Sequence, residues 1–201
     1  MSSAEDKALT ADPAPLGLAA SAFTTFLLSF ANAGFLPASS VTVVMPLALT
    51  YGGLCQLLTG VFEMRKGNTF GFTAFCSYGA FWLFYGLVVL LASMNVIAPV
   101  SSAVGAALIL WGLFTLYMWI PSLTINRALS LVFLFLWVTF FVLGAGNLLA
   151  VPRLMTAGGY LGIITGGLAA YTSFALVTNS VVGQGTIPLG KGMVWRKGKQ
   201  S

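Results

Sequence analysis

Long apolar stretches separated by short polar or turn-forming segments make up most of this chain. Six stretches can be drawn, at roughly 16–36, 41–63, 69–94, 101–123, 128–150 and 155–181. Each is long enough for the about 20 residues a helix needs to cross hydrocarbon. None shows the strict alternation of a barrel strand, and closed barrels are the only other structure that satisfies its own backbone in lipid. The connectors are short and carry the turn-formers Pro37, Gly67, Pro99, Pro121 and Pro152. The pattern therefore predicts an all-α integral membrane protein, with six transmembrane helices over residues 13–182. Residues 1–12 and 183–201 are expected to be tails outside the membrane.

Composition strengthens this reading. Of the 201 residues, 58% are hydrophobic and 6% charged, with no His. A soluble domain carries about a quarter of its residues as charges, so too few exist here to cover a watery surface. The basic residues divide unevenly between the two sides. Lys7, Arg65, Lys66, Arg127, Lys191, Arg196, Lys197 and Lys199 fall on one side, and Arg153 alone on the other. That split predicts that both termini are cytoplasmic in a cell-membrane protein. The net charge of +5 then reports orientation and implies no nucleic-acid partner. The tail WRKGKQS either touches anionic lipid or serves only as an orientation signal. The opening residues MSSAEDKALTADPAP are polar and lack the apolar core of a cleavable signal.

Few groups remain for chemistry inside the membrane. Cys55 and Cys76 lie in apolar segments and read as reduced packing residues. Glu63 is the one acidic residue near a span, and it stands at the end of span two beside Arg65 and Lys66. An ionised group costs least at such an edge. Glu63 either gates the cytoplasmic mouth or pairs with its basic neighbours. No cluster of titratable groups suits a metal, a cofactor or a nucleophile, which argues against an enzyme or an ion-gradient pump. What is left is neutral polarity, notably Asn32, Gln56, Thr59, Thr115, Thr139, Asn147, Thr165 and Asn179. Such residues serve either as glue between helices or as the lining of a narrow aqueous path.

Two stretches sharpen the choice. In GNTFGFTAFCSYGAFW (67–82), Asn68 is a natural helix cap. A helix from there places Thr69, Thr73, Cys76, Ser77 and Ala80 on one face, with Gly71, Phe75, Tyr78, Trp82 and Tyr85 beside it. A small, weakly polar face with aromatic edges suits a tight pore and tight packing equally. In the sixth span, Gly158, Gly162 and Gly166 recur every four residues and Ala170 continues the row. Such a bare face lets a neighbouring backbone come close, either within the chain or between subunits.

The segments DPAPLGL (12–18), YGGLCQLLTGVFEMRKGNTFGFTAFCSYGAFW (51–82), WGLFTLYMW (111–119) and Gly146-Asn147 carry a resemblance. Together they resemble the acetate uptake transporter family, which includes the bacterial succinate–acetate permeases, over about residues 12–190. The resemblance implies a six-helix protomer in a cyclic hexamer, with a separate path for acetate and related short carboxylates through each protomer. It places Tyr78 and Leu136 at an apolar constriction, with Ser21 where the family often has Phe. It also places Asp12 where the family signature has Asn, so a negative charge stands near the path. Asp12 is a good cap, and Pro13 is expected at the first helical position. Gln56, Thr73, Ser77 and Asn147 are expected to make polar contacts along the path, with Asp12, Pro13 and Glu63 at the cytoplasmic mouth. Neutral donors of that kind bind a small carboxylate weakly enough to release it. The rival readings are a passive pore for another small solute, such as ammonia or water, and a membrane protein that senses acetate without carrying it.

Overall fold

A computed structural model describes residues 11–98 and 101–194. Lys7, Pro99, Arg196, Lys197 and Lys199 lie outside that range. Six helices follow one another: α1 (Ala14–Asn32), α2 (Ala38–Arg65), α3 (Thr69–Ser93), α4 (Ser101–Ser122), α5 (Arg127–Leu149) and α6 (Pro152–Val182). All six are long and apolar enough to cross a membrane, and each matches an expected span to within a few residues. Among the described basic residues, Arg65, Lys66, Arg127 and Lys191 stand on the face that holds the start of α1 and the end of α6. Arg153 stands at the opposite end.

The helix starts follow local chemistry. Asn68 Oδ1 accepts the Gly71 amide at 3.1 Å, and Asn126 Oδ1 accepts the Leu129 amide at 2.8 Å, each satisfying a free donor of a first turn. At α1 the carboxylate of Asp12 accepts the Ala14 amide at 3.2 Å. Pro13 occupies the capping position, and Ala14 is the first helical residue. The shift of one residue from the expected start is the ordinary uncertainty of a helix end. Pro121 lies within the last turn of α4 rather than in a connector. Gly67 makes the turn into α3 with φ of +77°, a conformation that favours glycine.

Helix α2 is wound in three ways. It opens with a 3₁₀ turn at Ala38–Ser40, is α-helical to Leu47, becomes a π-helix over Ala48–Cys55 and returns to α over Gln56–Arg65. Pro46 lies inside the helix and cannot donate to the ladder. Thr50 Oγ1 donates to the Pro46 carbonyl at 2.7 Å. The widened stretch presents Gly52 to Thr24 and Trp82, and Gly53 to Leu83, with no room for a side chain at either. Periodicity alone did not signal this segment, because it is as apolar as the α-helix around it.

The glycine row of α6 is filled from within the chain. A side chain at Gly158 would strike Leu143 of α5, and one at Gly159 the Asn32–Ala33 backbone. At Gly162 the obstacle is Ser29 Oγ, and at Gly166 the Ala22 carbonyl and Phe26 of α1. On α3 the close approach is to α2. Cys76 fills the space at Gly60, while Gly79 lies against the backbone of Gly53 and Leu57. Cys76 and Gly79 therefore hold α3 against α2, while Thr69 and Ala80 of the small face are exposed. The aromatic edge beside it turns inward, where Tyr78, Phe81 and Trp82 join the buried cluster with Phe133 and Phe140 of α5.

Candidate functional site: a two-chambered path

Backbones pack closely between α1 and α6, α4 and α5, α5 and α6, and α2 and α3. Between α3 and α5 there is no such approach among the described residues. Their large side chains meet across the gap, and a cavity lies on each side of the meeting. One, of about 380 Å³, opens toward the end with Asn32, Thr42, Ser93, Asn147 and Met155. The other, of about 200 Å³, opens toward the terminal face with Asp12, Lys66, Asn68 and Asn126. Leu136 belongs to the lining of both, and no other described residue does.

Around Leu136 the walls are aromatic. Phe81 and Phe140 meet edge to face at 5.0 Å between ring centres, and Tyr78 stands 6.1 Å from Phe133. The Tyr78 hydroxyl donates to Thr115 Oγ1 at 3.0 Å, and Thr115 Oγ1 donates onward to the Trp111 carbonyl at 2.7 Å. Its polar end is therefore tied into α4, and the ring is left to the cavity. Ser21 of α1 lines the terminal-side cavity together with Tyr78 and Leu136. The three residues of the expected constriction thus border one space. Phe133 lines the same cavity, Phe81 and Phe140 line the larger one, and none of the three was singled out from the sequence. Aromatic residues in apolar helices carry no signal that separates a path wall from ordinary packing.

At the terminal face, Lys66 Nζ pairs with Asp12 Oδ1 at 2.8 Å, both side chains 42% exposed. The negative charge that departs from the family signature is thus neutralised by Lys66 as it caps α1. Glu63 does not pair with Arg65 or Lys66 as one reading of the sequence had it. Its side chain is fully buried, and Oε2 accepts from Asn68 Nδ2 at 2.7 Å. Gly71 makes room for this carboxyl, since a Cβ there would come 2.9 Å from Glu63 Cδ. Asn68 therefore has a second role beside its cap. Gln56 is 1% exposed and donates through Nε2 to the Gly17 carbonyl at 3.3 Å. Both Gln56 and Glu63 line the terminal-side cavity.

The remaining expected polar contacts are dispersed. Asn147 lines the larger cavity, yet its amide donates to the Leu143 carbonyl at 2.9 Å and toward Met155 Sδ at 3.3 Å. Thr73 and Ser77 line neither of the two cavities. Ser77 instead offers its carbonyl to Trp111 Nε1 at 3.4 Å. Pro13 lies outside the lining, next to Asp12. Thr25, Ser29 and Asn32 of α1 line the larger cavity; of these only Asn32 stood out in the sequence.

Six spanning helices that enclose two cavities meeting at Leu136 mark a multi-pass membrane protein of the channel or transporter class. The sequence comparisons make this specific. The GPR1/FUN34/yaaH family pattern matches residues 2–190, and the chain belongs to that family. It is 38% identical over 182 residues to the succinate-acetate/proton symporter SatP of Escherichia coli K12, covering 90% of this chain and 96% of that one. It is 37% identical to acetate permease A of Emericella nidulans, covering 85% of this chain and 62% of the longer fungal protein. Among solved structures, that of the bacterial acetate channel SatP superposes with a TM-score of 0.86 at 37% identity. The match covers 90% of this chain and 99% of that one.

Proposed function

We propose that this protein carries acetate and related short carboxylates, succinate among them, across the cell membrane through the path within each chain. The observation that supports this most is the pair of cavities meeting at Leu136, in a chain closely similar to a carboxylate symporter and an acetate channel. The relatives named are transporters and a channel, and an enzymatic reading has no support. Tyr78, Leu136 and Ser21 form the narrow point, with Phe81, Phe133 and Phe140 beside them. Gln56 and Asn147 are the polar positions along the path, and Asp12, Lys66 and Glu63 stand at the cytoplasmic mouth. Both termini are cytoplasmic on this reading, and the chain assembles as a ring of six. The mass of the detergent-purified protein tests the ring, and a monodisperse monomer would refute it.

Radiolabelled acetate uptake into proteoliposomes tests the transport reading. Flux above that of protein-free liposomes is expected, inhibited by unlabelled propionate and succinate. Equal flux in the two preparations would refute it. The mouth offers a second test. An exposed ion pair contributes only about 0–1 kcal/mol, so Asp12→Asn is expected to leave the fold intact while freeing the Lys66 ammonium. Initial acetate uptake should then rise at low ionic strength and converge on wild type at high salt, since salt screens exposed charge. An unchanged rate at both salt levels would remove Asp12 and Lys66 from the entry route.

A further inference from the structure

One face of α2 carries Gln56, Thr59 and Glu63 on successive turns. Their relative exposures are 1%, 1% and 0%. Each has an oxygen with no hydrogen-bond partner: Gln56 Oε1, Thr59 Oγ1 and Glu63 Oε1. Buried polar atoms are satisfied as a rule, and a buried acceptor without a hydrogen is costly. The geometry also shows which way the deficit runs. Asn68 fixes Glu63 Oε2 as an acceptor, and the Gly17 carbonyl takes a hydrogen from Gln56 Nε2. Gln56 Oε1 can only accept, and Glu63 Oε1 accepts whenever the carboxyl is ionised. Both residues line the terminal-side cavity, between the Tyr78–Leu136 narrowing and the mouth. The other charged groups lining that cavity are Asp12 and Lys66, which pair with each other. What α1, α3, α5 and α6 contribute is otherwise uncharged, and the Tyr78 hydroxyl is already committed to Thr115.

A carboxylate has no hydrogen to offer these atoms. An un-ionised carboxylic acid has one. Resting on the transport reading above, we propose that Glu63 is the proton acceptor of the path, taking the O–H proton of a carboxylic acid that crosses the narrowing in neutral form. An apolar narrowing favours the neutral species, because an unpaired charge there would lose its hydration without replacement. Beyond the narrowing, the acid's O–H bond breaks and an O–H bond forms on Glu63 Oε1. The substrate becomes the anion that leaves past Lys66. The proton then passes from Glu63 to water at the mouth, which restores the carboxylate. One proton and one carboxylate are delivered together, and no electron is transferred. Glu63 sets the pH response of transport, while size selection remains with the narrowing.

The test compares wild type, Glu63→Gln and Glu63→Asp in proteoliposomes, with protein-free liposomes subtracted. Two rates are read: acetate uptake driven by an acid-outside pH gradient, and acetate exchange at equal pH. Glu63→Gln is expected to lose roughly 100-fold in the gradient-driven rate, the scale of one positioned proton acceptor, a far larger fall than in exchange. Glu63→Asp, which keeps a carboxyl, should recover part of the gradient response. A gradient response in Glu63→Gln equal to wild type overturns the proposal, even though acetate transport itself would stand. No protein-dependent acetate flux in wild type would instead mean that the transport reading fails and takes the proposal with it. Protein-dependent ammonium flux that vanishes in Glu63→Gln, with carboxylate coupling intact, also overturns it, since the acceptors would then be an ammonium site. Should the variants not reach the membrane, infrared spectroscopy of the wild-type protein reads the same chemistry. Adding acetic acid isotopically labelled in its carboxyl, which displaces its own band, should raise an unlabelled protonated-carboxyl band of the protein, and no change in that band refutes the assignment.

Discussion

Leu136→Ala is expected to relax the size limit, so that butyrate and succinate compete with acetate more effectively than in the wild type. Leu136 belongs to both cavities, so removing its isobutyl group joins spaces that the side chain now divides. The stability cost of such a truncation is about 2–5 kcal/mol in a sealed core. The lower end applies here, because Leu136 already faces open volume on two sides. Ser21→Phe is the complementary change. Ser21 borders the same space as Tyr78 and Leu136, and a ring there should tighten selection and slow acetate. The measurement is uptake competition among acetate, propionate, butyrate and succinate, corrected for protein in the membrane. If all three residues around the space were mere packing, Leu136→Ala would lower stability and leave the ranking alone. An unchanged ranking in both variants removes the constriction from these residues.

Gly162→Leu is expected to lower thermal stability in detergent strongly or to abolish assembly of the bundle. A Cβ at this position would meet Ser29 Oγ of α1, with Thr139 Cγ2 of α5 at 3.7 Å. Forcing volume into a filled contact costs about 1–3 kcal/mol or more, and here it would separate helices that pack along much of their length. Gly167→Ala is the control, since its added carbon meets only Phe26 Cζ at 3.8 Å, an ordinary contact. Melting curves of the two variants separate the outcomes. Equal melting temperatures would mean that the row is not the seam between α1 and α6.

The glycine row shows how far a sequence pattern reaches. Its spacing marks a face of close approach, because every fourth residue of a helix returns to the same side. It does not say which helix approaches, since any neighbour can use a bare face. The same holds for the small face of α3, where Thr73 and Ser77 read equally as path wall or packing. Their hydroxyls look alike in either setting. In the structure Cys76 alone of that face is seen to press on α2, Thr73 and Ser77 line neither cavity, and the aromatic edge beside them borders the two cavities. The buried acceptors of α2 were legible as polar residues in an apolar span, but their unpaired atoms were not. Whether an amide or carboxyl finds a partner depends on what stands across from it.

Hydropathy and length determined the six spans, and the uneven basic residues supported a single orientation, because lipid penalises unpaired backbone and charge wherever the chain turns. Those constraints act along the chain and need no partner. The particular residues that enclose the path depend on which helix faces meet. The π segment of α2, the Asp12–Lys66 pair and the sharing of Leu136 between two cavities all join groups that are distant in sequence or shifted in helical phase. Such contacts are set by the packing of the whole bundle, so only the tertiary structure decided them.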